Sequence, residues 1–86
     1  MAYRIVYTKP AERFIRKLNR DLQARVFAKV EVIAAAPRGM GAVKMSGHDA
    51  YRVRVGDYRI VYAVLDDRLL VLVVEVGHRR DVYRGW

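Results

Sequence analysis

The sequence predicts an α+β domain of order β-α-α-β-β-β, an antiparallel sheet with an N-terminal helical hairpin packed on one face. Three observations predict it. Residues 9–36 hold two amphipathic helical stretches parted by only a residue or two. Residues 51–76 hold three β-rich runs joined by Gly56-Asp57 and Asp66-Asp67, both read as two-residue hairpin turns. Ahead of the helices, AYRIVYT alternates as a strand does.

Each element has its own signals. In residues 2–8, Tyr3, Ile5 and Tyr7 share one side. Thr8 precedes Pro10, a good N-cap followed by an early-turn proline. From Lys9 to about Arg20, Phe14, Ile15 and Leu18 mark an apolar stripe flanked by Arg13, Arg16 and Lys17. Asn19 can cap a second helix, in which Leu22, Val26, Val30 and Ile33 recur at helical spacing and Phe27 widens the stripe. Pro37 stops it. So short a connection predicts antiparallel helices. Residues 37–49 are loop, with room for a short strand near Val43. Strands over 51–55, 58–65 and 69–76 complete the sheet. The helices must then cover Tyr51, Val53, Val55, Tyr58, Ile60 and Tyr62, leaving the other face of the hairpin open.

With 86 residues the chain is expected to form a single domain, 1–86. Cysteine is absent, so disulfides and thiolate metal sites are excluded. Two histidines and no acidic cluster argue against a metal site, and no cofactor is expected. The longest apolar run, residues 69–74, is too short to span a bilayer. MAYRIVY lacks the apolar stretch of a signal peptide. A soluble cytoplasmic protein with no membrane partner is the expectation. Net charge is +8, from 17 basic and 9 acidic residues, thirteen of the basic ones being arginine. Arginine forks onto phosphates and carboxylates. The excess implies a polyanionic partner, either nucleic acid or an acidic protein.

The open face carries the most informative residues. With Gly56-Asp57 as the turn, Arg54 faces Arg59 and Arg52 faces Val61. Opposed like charges cost tenths of a kcal/mol to ~1 kcal/mol. Folding does not favour that arrangement, whereas an anion does. No acid intervenes within YRVRVGDYRIVY on that side. The run LLVLVV is apolar on both faces, so Leu70, Leu72 and Val74 are expected to give the open face an apolar floor. That floor is either doubly buried under the tail or a groove for a partner's apolar segment. After Gly77 the tail HRRDVYRGW is basic and aromatic. In a helical turn Arg79 and Tyr83 share a side, while Trp86 reads as a packing aromatic.

YRVRVGDYRIVY and VGHRRDVYR, at this separation, resemble the RelE/ParE toxin superfamily of type II toxin–antitoxin systems. The resemblance spans nearly the whole chain. It implies one of two activities on one fold: cleavage of mRNA in the ribosomal A site, or inhibition of DNA gyrase without RNA cleavage. In the nucleases, strand bases hold the scissile phosphate, and a late Arg and a C-terminal Tyr complete the site. Position by position, these fall on Arg52, Arg54, Arg59, Arg79 and Tyr83, with Lys44, His78 and Arg80 as further substrate-binding candidates. The best-known nuclease has lysines where this chain has Arg52 and Arg54. Arginine binds phosphate but takes no proton near neutral pH. The implied mechanism is metal-free attack by the ribose 2′-hydroxyl, with Tyr83, or else His78, taking the proton. The implied partners are a cognate antitoxin in a hetero-oligomer, and the ribosome with its message. DNA gyrase is the alternative target. A third reading is an inactive module that binds only RNA or antitoxin.

Overall fold

A computed structural model describes residues 2–39, 41–45 and 50–78. The chain runs β1 (Arg4–Tyr7), α1 (Lys9–Arg16), α2 (Arg20–Ala35), β2 (Val43–Lys44), β3 (Ala50–Val55), β4 (Tyr58–Leu65) and β5 (Leu70–His78). The five strands form one sheet in the order β1-β5-β4-β3-β2. This is the expected α+β architecture with one correction. The short strand foreseen near Val43 is present, Val43–Lys44 pairing antiparallel with β3. The sheet, however, is mixed, because β1 lies parallel to β5, with Ile5 opposite Val71 and Tyr7 opposite Val73. Two helices intervene between β1 and the later strands and return the chain so that first and last strands run the same way.

Local chemistry sets the helix ends. The Thr8 hydroxyl caps α1, accepting from Ala11 N at 3.3 Å, and Asn19 caps α2, accepting from Leu22 N at 2.9 Å. Helix α1 stops at Arg16, shorter than the stripe suggested. The Gln23 side chain then donates to the Leu18 carbonyl at 2.9 Å, satisfying the connection between the helices. Ala11, Ile15, Val26, Val30 and Ile33 pack on Val53, Val55, Ile60, Tyr62, Val64, Val71, Val73 and Val76 to form the core. Ala11 was too small to register in the stripe, yet it is fully buried.

The β3–β4 turn is as expected: Gly56 has φ +57, the left-handed value that suits glycine at the first turn position. A Cβ there would also lie 3.4 Å from Arg25 Nη2 on α2. The β4–β5 connection is not a two-residue turn. Asp66–Arg68 form a 3-10 turn closed by Leu69, which adopts φ 49. Asp66 is committed elsewhere, and this explains the longer connection. Its carboxylate accepts from Arg38 Nη1 at 3.0 Å and Nη2 at 2.8 Å, and from the Tyr3 hydroxyl at 2.8 Å. Arg38 Nε donates to the Tyr51 hydroxyl, Tyr51 stacks on Tyr62, and the Tyr62 hydroxyl donates to the Pro37 carbonyl at 2.6 Å. This clamp ties the end of α2 to β1, β3 and the β4–β5 turn. The Arg38 and Tyr3 hydrogen bonds hold the Asp66 carboxyl below its ordinary range. Burial pushes the Tyr62 phenol up to about 12.

Candidate functional site

Strand pairing decides which residues share the face away from the helices. Across β3 and β4, Val55 pairs with Tyr58, Arg54 with Arg59, Val53 with Ile60, Arg52 with Val61 and Tyr51 with Tyr62. Val53, Val55, Ile60 and Tyr62 lie in the core under the helices. Arg52, Arg54 and Arg59 therefore project from the opposite face. Arg54 is exposed, while Arg52 and Arg59 are half-buried. The like-charged pair foreseen from the turn is present, Arg54 directly across from Arg59.

Strand β5 departs from simple alternation. Its register against β4 shifts between Val61 and Tyr62: Tyr62 pairs with Val73, and Val61 with Glu75. Val74 is the extra residue of a β-bulge. The bulge is anchored to the start of α1. Thr8 Oγ1 donates to the Val74 carbonyl at 2.7 Å, and Thr8 N donates to the Val73 carbonyl at 3.0 Å. Beyond the bulge the faces exchange. Val76 pairs with Ile60 and enters the core. Glu75 and Gly77 come to the arginine face, Gly77 directly opposite Arg59.

The same bulge corrects the expectation for His78. It pairs with Tyr58 on the helix side, ring edge to ring at 5.8 Å. Lys44 is likewise turned away, since it pairs with Tyr51, whose ring stacks on buried Tyr62. Neither is brought to the arginine face. Arg79, Arg80 and Tyr83 lie outside the described residues, as does Trp86. Glu75 is the residue that sequence reading missed, and one signal was available. Strict alternation would have put its carboxylate under the helices, where an ionised group is costly.

The open face divides by chemistry. One end carries Arg52, Arg54, Arg59 and Glu75. The other carries Leu70 opposite Leu65, Leu72 opposite Ala63, and Val6 beside Leu72. Leu70, Leu72 and Val74 are half-buried, and Val6 is 42% exposed, so the expected apolar floor is accessible. Between the two ends, Met45, Ala50 and Val61 form a second, smaller apolar cluster. A cleft of about 250 Å³ lies elsewhere, between α1 and α2, lined by Tyr7, Ile15, Gln23 and Phe27. A polymeric anion needs a basic surface rather than a cavity, so the sheet face is the candidate site. Clustered guanidiniums can grip phosphate oxygens and stabilise charge that builds on them. Among the described residues no three His, Asp or Glu converge as metal ligands. No helix among them is long and apolar enough to cross a membrane.

Comparison with known proteins identifies relatives of this fold. The family model described as the ParE toxin of the type II toxin–antitoxin system parDE matches residues 5–83. The mRNA interferase toxin RelE of Escherichia coli K12 is 32% identical, the alignment covering 96% of this chain and 92% of that protein. Toxin RelG of Mycobacterium tuberculosis is 29% identical over 98% of this chain and 99% of its own length. Among solved structures, the intact E. coli RelBE toxin–antitoxin complex matches with TM-score 0.80 and 29% identity, covering 90% of this chain and 96% of that one.

Proposed function

This chain belongs to the RelE/ParE toxins of type II toxin–antitoxin systems, and on that footing we propose that it is an mRNA interferase of the RelE branch. The observation that carries the reading is the Arg54–Arg59 pair with Arg52 one row along, on the face free of helices. Such a cluster suits a scissile phosphate and its developing charge. The similar E. coli protein is named an mRNA interferase, which supports the same activity here.

The substrate is RNA, because the ribose 2′-hydroxyl is the nucleophile. It attacks the adjacent phosphorus, and a 2′,3′-cyclic phosphate and a 5′-hydroxyl result. Arg52, Arg54 and Arg59 hold and neutralise the phosphate. Arg79 stabilises the leaving oxygen, and Tyr83 moves a proton. The ribosome orients the message, supplying alignment that so small a domain lacks. The site of action is the cytoplasm, where messages are translated. A cognate antitoxin is a partner, as the similarity to a toxin–antitoxin complex supports, and the apolar floor beside the arginines is where its apolar segment would lie.

Mapping transcript 5′ ends after brief induction tests this reading. Cuts within codons are expected. Intact transcripts accompanied by double-strand DNA breaks would favour gyrase inhibition instead.

A further inference from the structure

We propose that Glu75 is the proton acceptor of the arginine face, taking the proton from the 2′-hydroxyl of the bound RNA. This rests on the nuclease reading above. Three observations carry it.

The first is position. Glu75, Val61 and Arg52 form one row across β5, β4 and β3. In the next row Gly77, Arg59 and Arg54 do the same. Glu75 is thus diagonal to Arg59, a relation that long side chains span. Gly77 leaves the strand position opposite Arg59 without a side chain. The second is that the placement is built. The bulge that turns Glu75 outward is pinned by Thr8, whose hydroxyl and amide bond the Val74 and Val73 carbonyls. Bulges re-aim side chains in this manner next to active sites. The third is chemical. Glu75 is the one carboxylate within a strand among the described residues. An arginine stays protonated and cannot accept. A phenol, ordinarily titrating near pH 10, is a donor at neutral pH, whereas an ionised carboxylate is an acceptor.

The step balances without a further reactant. The O2′–H bond breaks and its proton passes to the Glu75 carboxylate. The O2′ electron pair forms a bond to phosphorus. The P–O5′ bond breaks, and the leaving oxygen takes the Tyr83 phenolic proton. Glu75 then returns its proton through solvent to the tyrosinate.

The test is single-turnover cleavage on programmed ribosomes, using an ordinary message and one with a bridging 5′-sulfur at the cleaved bond. A thiolate leaves without needing a proton. Glu75→Gln should cut both messages about 10²–10⁴ times more slowly, at an unchanged half-saturating toxin concentration. Tyr83→Phe should be slow on the oxygen message and recover on the sulfur one. Glu75→Gln cutting at the parental rate, or recovering on sulfur, overturns the assignment. So does a defect seen only in the half-saturating concentration, which would mark a charge-balancing role. Should Glu75→Gln unfold by circular dichroism, Glu75→Ser, which also lacks the carboxylate, decides, and a parental rate there overturns the assignment. A parent protein that leaves the message intact overturns the nuclease reading along with it. A parent and a Glu75→Gln variant that cut equally overturn this assignment alone.

Discussion

At the scale of single residues, removal of one guanidinium is the direct probe of the site. Arg59→Ala should slow cleavage about 10²–10³-fold, by analogy with the loss of one preorganised charge-stabilising donor. The fold should survive, since Arg59 lies on the face away from the helices. Single-turnover cleavage with circular dichroism as control measures both, and an unimpaired Arg59→Ala protein would favour gyrase binding. A second probe addresses stability. The Tyr62 ring is fully buried and its hydroxyl donates to the Pro37 carbonyl at 2.6 Å. Tyr62→Phe keeps the ring and orphans a buried acceptor, so urea unfolding should register a loss of about 1–3 kcal/mol. Asp66 makes a third case. Its folded-state carboxyl titrates below the unfolded value of about 3.9. The stability it contributes is present above that value and is lost as pH falls through the lower, folded-state one. Urea midpoints measured from pH 6 to pH 2 should therefore fall more steeply for the parent than for Asp66→Asn.

At the scale of elements, the β3–β4 hairpin was legible because turn chemistry and alternation agree. Gly56-Asp57 fixes the register, and every pair from Val55–Tyr58 to Tyr51–Tyr62 follows. The two helix caps were legible for the same reason, as Thr8 and Asn19 are strong local signals. Strand β5 was not, because its bulge is set by Thr8, 66 positions away from Val74. The charge of Glu75 within LLVLVVEVG hints at a break in alternation, but nothing local names Thr8 as its anchor. The β4–β5 connection failed similarly. The clamp on Asp66 lengthens it and forces Leu69 into a left-handed conformation. That conformation costs a branched residue about 1–2 kcal/mol, and asparagine tolerates it better. Leu69 is also 47% exposed, so little packing is at stake. Leu69→Asn should raise stability by about 0.5–1 kcal/mol in urea unfolding, and a decrease would mean that the turn is not strained.

At the scale of the whole molecule, charge and apolar surface occupy opposite ends of one open face. A partner that covers both must combine acidic groups with apolar anchors. Antitoxin binding should therefore weaken between about 0.1 and 1 M salt without vanishing, because screening spares the apolar part. Val6→Asp, at the apolar end, should weaken binding by about 1.5 kcal/mol or more, roughly tenfold in Kd. Titration calorimetry reads both, and a Kd insensitive to Val6→Asp would remove the floor from the interface. The fold class, the helix-side core and the three strand arginines were open to reading because each rests on short-range periodicity. The division of the face was only half visible, since β1 joins it through a parallel pairing that no turn encodes. That pairing also bears on how the protein is made. Synthesis delivers residues 4–7 well before their partners, residues 70–73. Until then the opening strand has no neighbour in the sheet, and β4 and β3 lack the strand that joins them to it. The open face is thus completed only after β5 has been made, so the sheet closes from its last strand back onto its first.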